Sequence, residues 1–149
     1  MKYGFVKVAA ATPALRVADV RYNADNIIAE CGRAYEAGVQ ILVFPELSLT
    51  GYTCGDLFHQ QALVEGAKRE AERVVKESRG REMLCFVGLP VLFAGRLYNC
   101  ALAFSDGKPL GLVPKSSLPN YNEFYEMRHF APADGVSGEV ELCGERVPL

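Results

Sequence analysis

Ile41-Leu42-Val43-Phe44-Pro45-Glu46-Leu47-Ser48-Leu49-Thr50-Gly51-Tyr52 is the stretch that decides how this chain is read. Four consecutive apolar residues, branched or aromatic and too few for a helix, predict a short, fully buried strand. Pro45 has no N–H for a sheet ladder, so the strand is expected to end there. Glu46 then lies just past the carboxyl end of a buried strand, the position where open α/β sheets hold their ligands. An isolated glutamate after a strand is more often a solvated loop residue. The remainder of the chain decides its weight.

Working outward, residues 2–11 are apolar on both faces apart from Lys7 and predict another buried strand, closed by Thr12-Pro13. Asp19 is a suitable N-cap for a helix running to about Gly38, with Ile27, Ile28, Cys31, Ala34 and Tyr35 as its inward stripe. Gly38 suits the C-terminal cap. The resulting strand–helix–strand unit has the length of a right-handed parallel crossover. Downstream, Asp56 is expected to cap a second helix reaching Ser78, with Leu57, Val64, Ala67, Ala71, Val74 and Val75 turned inward.

Residues 83–93 predict a further strand, bent or bulged at Gly88 and Pro90. Two apolar runs, 96–104 and 109–113, flank Ser105-Asp106-Gly107-Lys108, and Asp-Gly in that setting is a strong hairpin signal. Residues 139–149 alternate apolar and charged side chains and predict a hairpin turning at Gly144-Glu145, the chain stopping as that element begins its return. The fold class is therefore α/β, with a mixed sheet that begins in βαβ units and continues in hairpins.

Composition excludes several function classes. A length of 149 residues suits one domain with a substantial core, and 50% hydrophobic with 23% charged residues is a globular balance. The net charge of −2 and the lack of a basic block give no footprint for nucleic acid. Lysines and arginines between 68 and 76 alternate with Glu70 and Glu72, as on a salt-bridged helix surface. No apolar run approaches the ~20 residues of a membrane span, and Met1-Lys2-Tyr3-Gly4 does not open a signal peptide. A cytoplasmic location is expected. Five cysteines without a CxxC pair argue against a disulfide framework or a zinc knuckle, so no metal ligand is assigned. Cys31, Cys85 and Cys100 sit in apolar periodic segments as small hydrophobes. Cys54 and Cys143 lie in loop-like settings with no histidine beside them to activate a thiol.

A second charged residue repeats the pattern of Glu46. Lys115 follows Val113-Pro114, so another strand ends at a proline and delivers a charge, here of opposite sign. A glutamate and a lysine meeting at two strand ends can act as general base and as electrostatic stabiliser of an oxyanion. Residues 118–130 crowd Pro119, two Asn, two Tyr, two Glu, Arg128 and His129 into one loop, the kind of segment on which binding groups are mounted.

On these residues the chain resembles the nitrilase (carbon-nitrogen hydrolase) superfamily. Phe44-Pro45-Glu46-Leu47-Ser48-Leu49-Thr50-Gly51-Tyr52 is similar to its glutamate motif and Pro114-Lys115 to its lysine motif. Thr53-Cys54-Gly55-Asp56-Leu57 and Leu118-Pro119-Asn120-Tyr121-Asn122-Glu123-Phe124-Tyr125-Glu126-Met127-Arg128 resemble the branch formed by the glutaminase domains of glutamine-dependent NAD synthetases. The resemblance implies a four-layer α-β-β-α sandwich, of which residues 1–149 supply the N-terminal portion. It implies Glu46 as general base, Lys115 as oxyanion stabiliser, and Tyr52, Tyr121 and Glu126 as lining of a glutamine pocket. Glu126 would meet the substrate's ammonium group, with Glu123 as the alternative. Tyr52 and Tyr121 as packing aromatics, and Glu126 paired with Arg128 or Lys115, are the plainer alternatives.

The family's nucleophilic cysteine belongs to a third motif that this sequence lacks, which implies a fragment inactive by itself. ATP, Mg²⁺ and deamido-NAD would belong to a synthetase domain absent from this chain. A homo-oligomer is expected, since half a sandwich leaves a sheet face uncovered. Competing expectations are a free-standing amidase or carbamoylase and a non-catalytic assembly module.

Overall fold

The computed structural model describes residues 4–149. Strands β1 (Val8–Ala10), β2 (Ile41–Val43), β3 (Leu84–Phe93), β4 (Arg96–Ser105) and β5 (Lys108–Pro114) form one sheet in sequence order. β1, β2 and β3 run parallel, while β3, β4 and β5 form an antiparallel meander. Helix α1 (Val20–Glu36) connects β1 to β2, and α2 (Gln61–Glu77) lies between β2 and β3. A separate hairpin, β6 (Glu139–Leu142) with β7 (Glu145–Pro148), sits beside β5.

The period of two along each strand divides the sheet into unlike faces. Cys85, Val87, Leu89 and Val91 of β3 stand opposite Phe104, Leu102, Cys100 and Tyr98 of β4, and all eight are buried. They share one core with Ala24, Ile27 and Cys31 of α1, Ala71, Val74 and Val75 of α2, and Leu142 and Val147 of the hairpin. Among the described residues the opposite face has no helix layer. It exposes Val43 and Val113, and it carries Asn99 beside Phe86 and Ala101.

Local chemistry accounts for the element boundaries. The Asp19 side chain accepts a hydrogen bond from Tyr22 N and caps α1, a contact worth about 1 kcal/mol. Gly38, at φ +74°, closes the same helix in the left-handed conformation that favours glycine. Asp106 and Gly107 both take positive φ in the β4–β5 turn, as an Asp-Gly hairpin requires.

Several expectations need correction. β1 is an edge strand with Val8 66% exposed, not a strand buried on both sides, and residues 2 and 3 lie outside the described residues. Val43 is half-exposed because no helix among the described residues covers its face of the sheet, so β2 is not fully buried either. Tyr35 is exposed on α1, while Asn23 and Ala24 complete the inward stripe. Asp56 does not cap α2. It lies in a 3₁₀ turn, Gly55–His59, after which Gln60 takes the N-cap position, and Phe58 rather than Leu57 turns inward.

β3 is not bulged at Gly88 or Pro90; its pairing with β4 is unbroken, and the irregularity falls between Ala103 and Phe104 against β5. The carbonyls of Phe86 and Gly88 accept hydrogen bonds from Phe44 N and Leu49 N on the β2 side. Pro90, in the same phase, therefore directs its missing donor to a side where β2 has already ended. The final hairpin turns one residue early, at Cys143-Gly144, and both arms are formed.

Candidate active site

Two loops and one strand end build the site. Residues 45–51 leave β2 and cross β3 directly over Gly88. A Cβ on Gly88 would lie 2.2 Å from Leu47 N and 2.9 Å from the carbonyl oxygen of Pro45, so only glycine permits this crossing. Leu49 N donates to Gly88 O at 3.1 Å, and Gly88 N donates to Ser48 Oγ at 3.2 Å. Leu47, at φ +51°, and Leu49 are fully buried. Asn23, also fully buried, donates from Nδ2 to Leu49 O at 3.0 Å and to Arg16 O at 2.8 Å, joining the start of α1 to this loop. Glu46 is thereby held on a rigid backbone turn at the edge of the bare face.

Lys115 extends the β4–β5 ladder by one residue, its N–H donating to Asn99 O at 2.8 Å. Its Nζ lies 2.7 Å from Glu46 Oε1. Asn99 Nδ2 donates to the same oxygen at 2.7 Å, leaving Glu46 Oε2 outside these contacts. Both Glu126 carboxylate oxygens are 3.0 Å from the Lys115 ammonium; Oε1 accepts its hydrogen bond, while Oε2 is buried with ionic contact alone. Tyr52 Oη donates to Glu126 Oε1 at 2.6 Å. One ammonium thus bridges two carboxylates, and the buried one is fixed from its other side by a phenol.

Burial is the largest single influence on Lys115 and pulls its pKa down, but hydrogen bonds and charge from Glu46 and Glu126 together outweigh it, and the ammonium titrates above an ordinary lysine. Burial first, then the Glu126 contact, pushes the Tyr52 phenol well above the usual tyrosine range, so it stays a donor. The arrangement offers a fixed cation beside an open carboxylate oxygen. Such a pair can take a proton from a nucleophile and stabilise negative charge developing on a carbonyl oxygen.

The structure brings Glu46, Lys115, Glu126 and Tyr52 together. Tyr121 is more peripheral: it is 64% exposed and packs edge-on against Phe124 at 5.8 Å, which in turn meets Tyr52 at 6.5 Å. Of the plainer pairings for Glu126, Lys115 is the one formed, since Arg128 pairs with Asp56. Asn99 escaped the sequence reading. Its signal was a polar residue inside the apolar run 96–104, at a position the strand period assigns to the face opposite the core.

The cysteines offer no thiolate here. Cys54 Sγ donates to Thr50 O at 3.1 Å, and burial pushes its pKa up. Burial raises the Cys100 thiol to about 12. Cys85 is pushed up by its contact with Cys31 and by burial, and Cys143 by burial first; that same contact lowers Cys31, but Cys31 is buried on the inward face of α1, away from Glu46 and Lys115. A groove of about 350 Å³ on the bare face runs past Glu46, Asn99 and Lys115, lined by Val43, Phe86 and Val113. A second hollow, between Tyr52, Phe58, Phe124 and Glu126, reaches His129. With Asp56 and His59 outside that hollow, His129 completes the one cluster of metal-ligating side chains among the described residues.

Residues 7–146 match the carbon-nitrogen hydrolase family, and the chain belongs to it. It is 37% identical over 146 residues to the glutamine-dependent NAD(+) synthetase of Mycobacterium tuberculosis (strain ATCC 25618 / H37Rv), an alignment covering 98% of this chain and 22% of that protein. The corresponding protein of Aquifex aeolicus is 33% identical over 131 residues, covering 88% of this chain and 23% of the relative. The chain therefore spans about a fifth of the length of the curated relatives it matches. Its fold is similar to that of a glutamine-dependent NAD(+) synthetase from Cytophaga hutchinsonii, with TM-score 0.88 and 28% identity over 96% of this chain and 24% of that one. It also shares the fold of an amidase from Nesterenkonia sp., at TM-score 0.73 and 22% identity over 96% and 54% of the two chains. The mixed five-stranded sheet with its helix layer is thus the nitrilase-superfamily architecture. No helix among the described residues is long and apolar enough to cross a membrane.

Proposed function

We propose that this chain carries the base and the cation of a glutamine-hydrolysing site whose ammonia serves the ATP-dependent amidation of deamido-NAD to NAD. The observation that carries the reading is the contact of Lys115 with Glu46 at 2.7 Å, at the carboxyl ends of two strands of one sheet. The similarity to glutamine-dependent NAD(+) synthetases supports the substrate. In this reading Glu46 Oε2 removes the proton of a cysteine thiol and later activates water. Lys115 stabilises the oxyanion, and Glu126, held by Tyr52, fixes the lysine and faces the substrate. Tyr121 closes the rim of the pocket.

Thioester formation needs a thiolate, and none of the five thiols here is placed to give one. The proposal therefore places the nucleophile in residues outside this chain, brought to the bare sheet face beside Glu46. ATP, Mg²⁺ and deamido-NAD belong to a separate synthetase domain in this proposal. Assembly into a homo-oligomer and a cytoplasmic location are further parts of it.

The test is Glu46→Gln in the intact protein that contains these residues. Glutamine-driven NAD formation should fall at least about 100-fold, as loss of a general base does, while synthesis from added ammonium is retained. Loss of both activities together would make Glu46 structural. Hydrolysis of short aliphatic amides without NAD formation would favour a free-standing amidase instead.

A further inference from the structure

Asp56, His59 and His129 lie outside the Glu46–Lys115 constellation and have no part in the proposed hydrolysis. Two 3₁₀ turns bring them together. In the turn Gly55–His59, residues three apart eclipse one another, so Asp56 and His59 project to the same side. His129 follows the turn Glu126–Arg128 as its C-terminal cap residue. His129 Nδ1 and His59 Nε2 stand 3.3 Å apart, and the three candidate ligand atoms all lie within 4.8 Å of one another.

That N···N distance is the length of a hydrogen bond between the rings and also suits a shared metal ion. Two nitrogens bound to one tetrahedral zinc ion at 2.0–2.1 Å must sit about 3.3 Å from each other. His129 Nδ1 and His59 Nε2 meet that spacing. His129 packs tilted against Phe58 at 5.7 Å, and Phe58 meets Phe130 edge-on at 4.8 Å.

We propose that Asp56, His59 and His129 form a site for a first-row divalent cation, Zn²⁺ above all, that ties residues 55–59 to residues 126–129. Imidazole nitrogens with a carboxylate suit zinc and its neighbours and not the hard cations Mg²⁺ or Ca²⁺. Binding takes the proton that one ring shares with the other and leaves it on that ring's outer nitrogen. Arg128 is the counter-argument, because its Nε and Nη2 lie 3.1 and 3.2 Å from the two Asp56 oxygens. Oδ1 is also 2.9 Å from Nη2, but Oδ2 has one arginine partner and keeps a further lone pair, and hydrogen-bonded carboxylates are the rule around metals. Arg128 thus orients Asp56 and lowers affinity by its charge without closing the site.

The cation would have a mechanical consequence. The Glu126 carbonyl accepts hydrogen bonds from His129 N and Phe130 N, so fixing His129 fixes the turn that presents the Glu126 carboxylate.

The test is Co²⁺ titration of the intact, fully reduced protein. The expected result is one saturable equivalent with visible d–d bands of a four- or five-coordinate centre. No near-ultraviolet sulfur-to-cobalt charge-transfer band should accompany it, which separates this site from the cysteines. Zn²⁺ should displace the cobalt and raise Tm. His59→Ala and His129→Gln should each weaken binding by about 10–100-fold, the range that even outer partners of a metal site command, with the metal-free Tm held near the parent value. Cys143→Ser should leave binding unchanged. Absence of saturable binding overturns the proposal. So does binding that survives both histidine changes, or a charge-transfer band that disappears with a cysteine substitution.

Discussion

The two loops that frame the candidate active site are held in opposite ways. Residues 45–51 are wedged into the fold by backbone and core: Leu47 and Leu49 are fully buried, and the loop exchanges hydrogen bonds with Gly88 and Ala18. Residues 118–130 form backbone hydrogen bonds only among themselves, as in Phe124 N to Tyr121 O and Glu126 N to Pro119 O. Side chains attach this second loop: the Lys115–Glu126 and Arg128–Asp56 ion pairs, the Tyr52–Glu126 hydrogen bond and the burial of Phe130. Glu46 is therefore positioned by steric necessity and Glu126 by charge. The first kind of attachment tolerates no substitution at its contact point. The second can be weakened by degrees, as a surface that must admit and release a small substrate requires.

The largest effect expected from this difference is at Gly88. A Gly88→Ala change puts a methyl 2.2 Å from backbone that cannot rotate away, so we expect a loss of about 3 kcal/mol or more in urea unfolding. An unchanged urea midpoint would show that the crossing is not wedged. Next is Lys115→Met, which strips the counter-charge from Glu126, a side chain only 5% exposed. A cost of about 2 kcal/mol is expected, reduced from a fully buried pair because Lys115 is itself part-exposed. Hydrogen exchange should then quicken in residues 118–130 but not in 45–51, and equal quickening in both would end the distinction.

Tyr52→Phe should cost about 1 kcal/mol, since Glu126 Oε1 keeps its bond to Lys115. In a Glu126→Ala background, which removes the acceptor, the same Tyr52→Phe change should cost nothing further. The smallest effect is with pH. The folded-state pKa of Lys115 is raised above 10.5, so the latch contributes fully below the unfolded value and is lost as pH rises through the folded one. Protection of residues 118–130 attributable to Lys115, read as the difference from Lys115→Met, should be constant through neutral pH and fall only in strong alkali.

Much of the site was legible before the fold. Glu46 and Lys115 each follow a strand that ends at or beside a proline, and that local rule holds wherever the strands lie. Asn99 and Gly88 were not legible as site-forming residues. Asn99 matters because the antiparallel register aims it at a glutamate 53 positions away, and Gly88 reads locally as a bend or bulge because nothing in its neighbours says that another segment passes over it. The histidine pair was invisible for the same reason, its members being 70 residues apart without metal-ligand spacing.

The sequence by itself determined the strand–helix–strand order, the Asp106-Gly107 turn, the cap at Asp19 and the two strand-end charges. These depend on periodicity, backbone freedom and capping, all of which act over a few residues. Only the tertiary structure decided which strand would be an exposed edge, which sheet face would stay bare, and that Lys115 would bridge two carboxylates from loops 80 residues apart in the chain (46 and 126). Burial and charge pairing are properties of what comes to lie alongside, and a residue's own neighbours in sequence do not encode them.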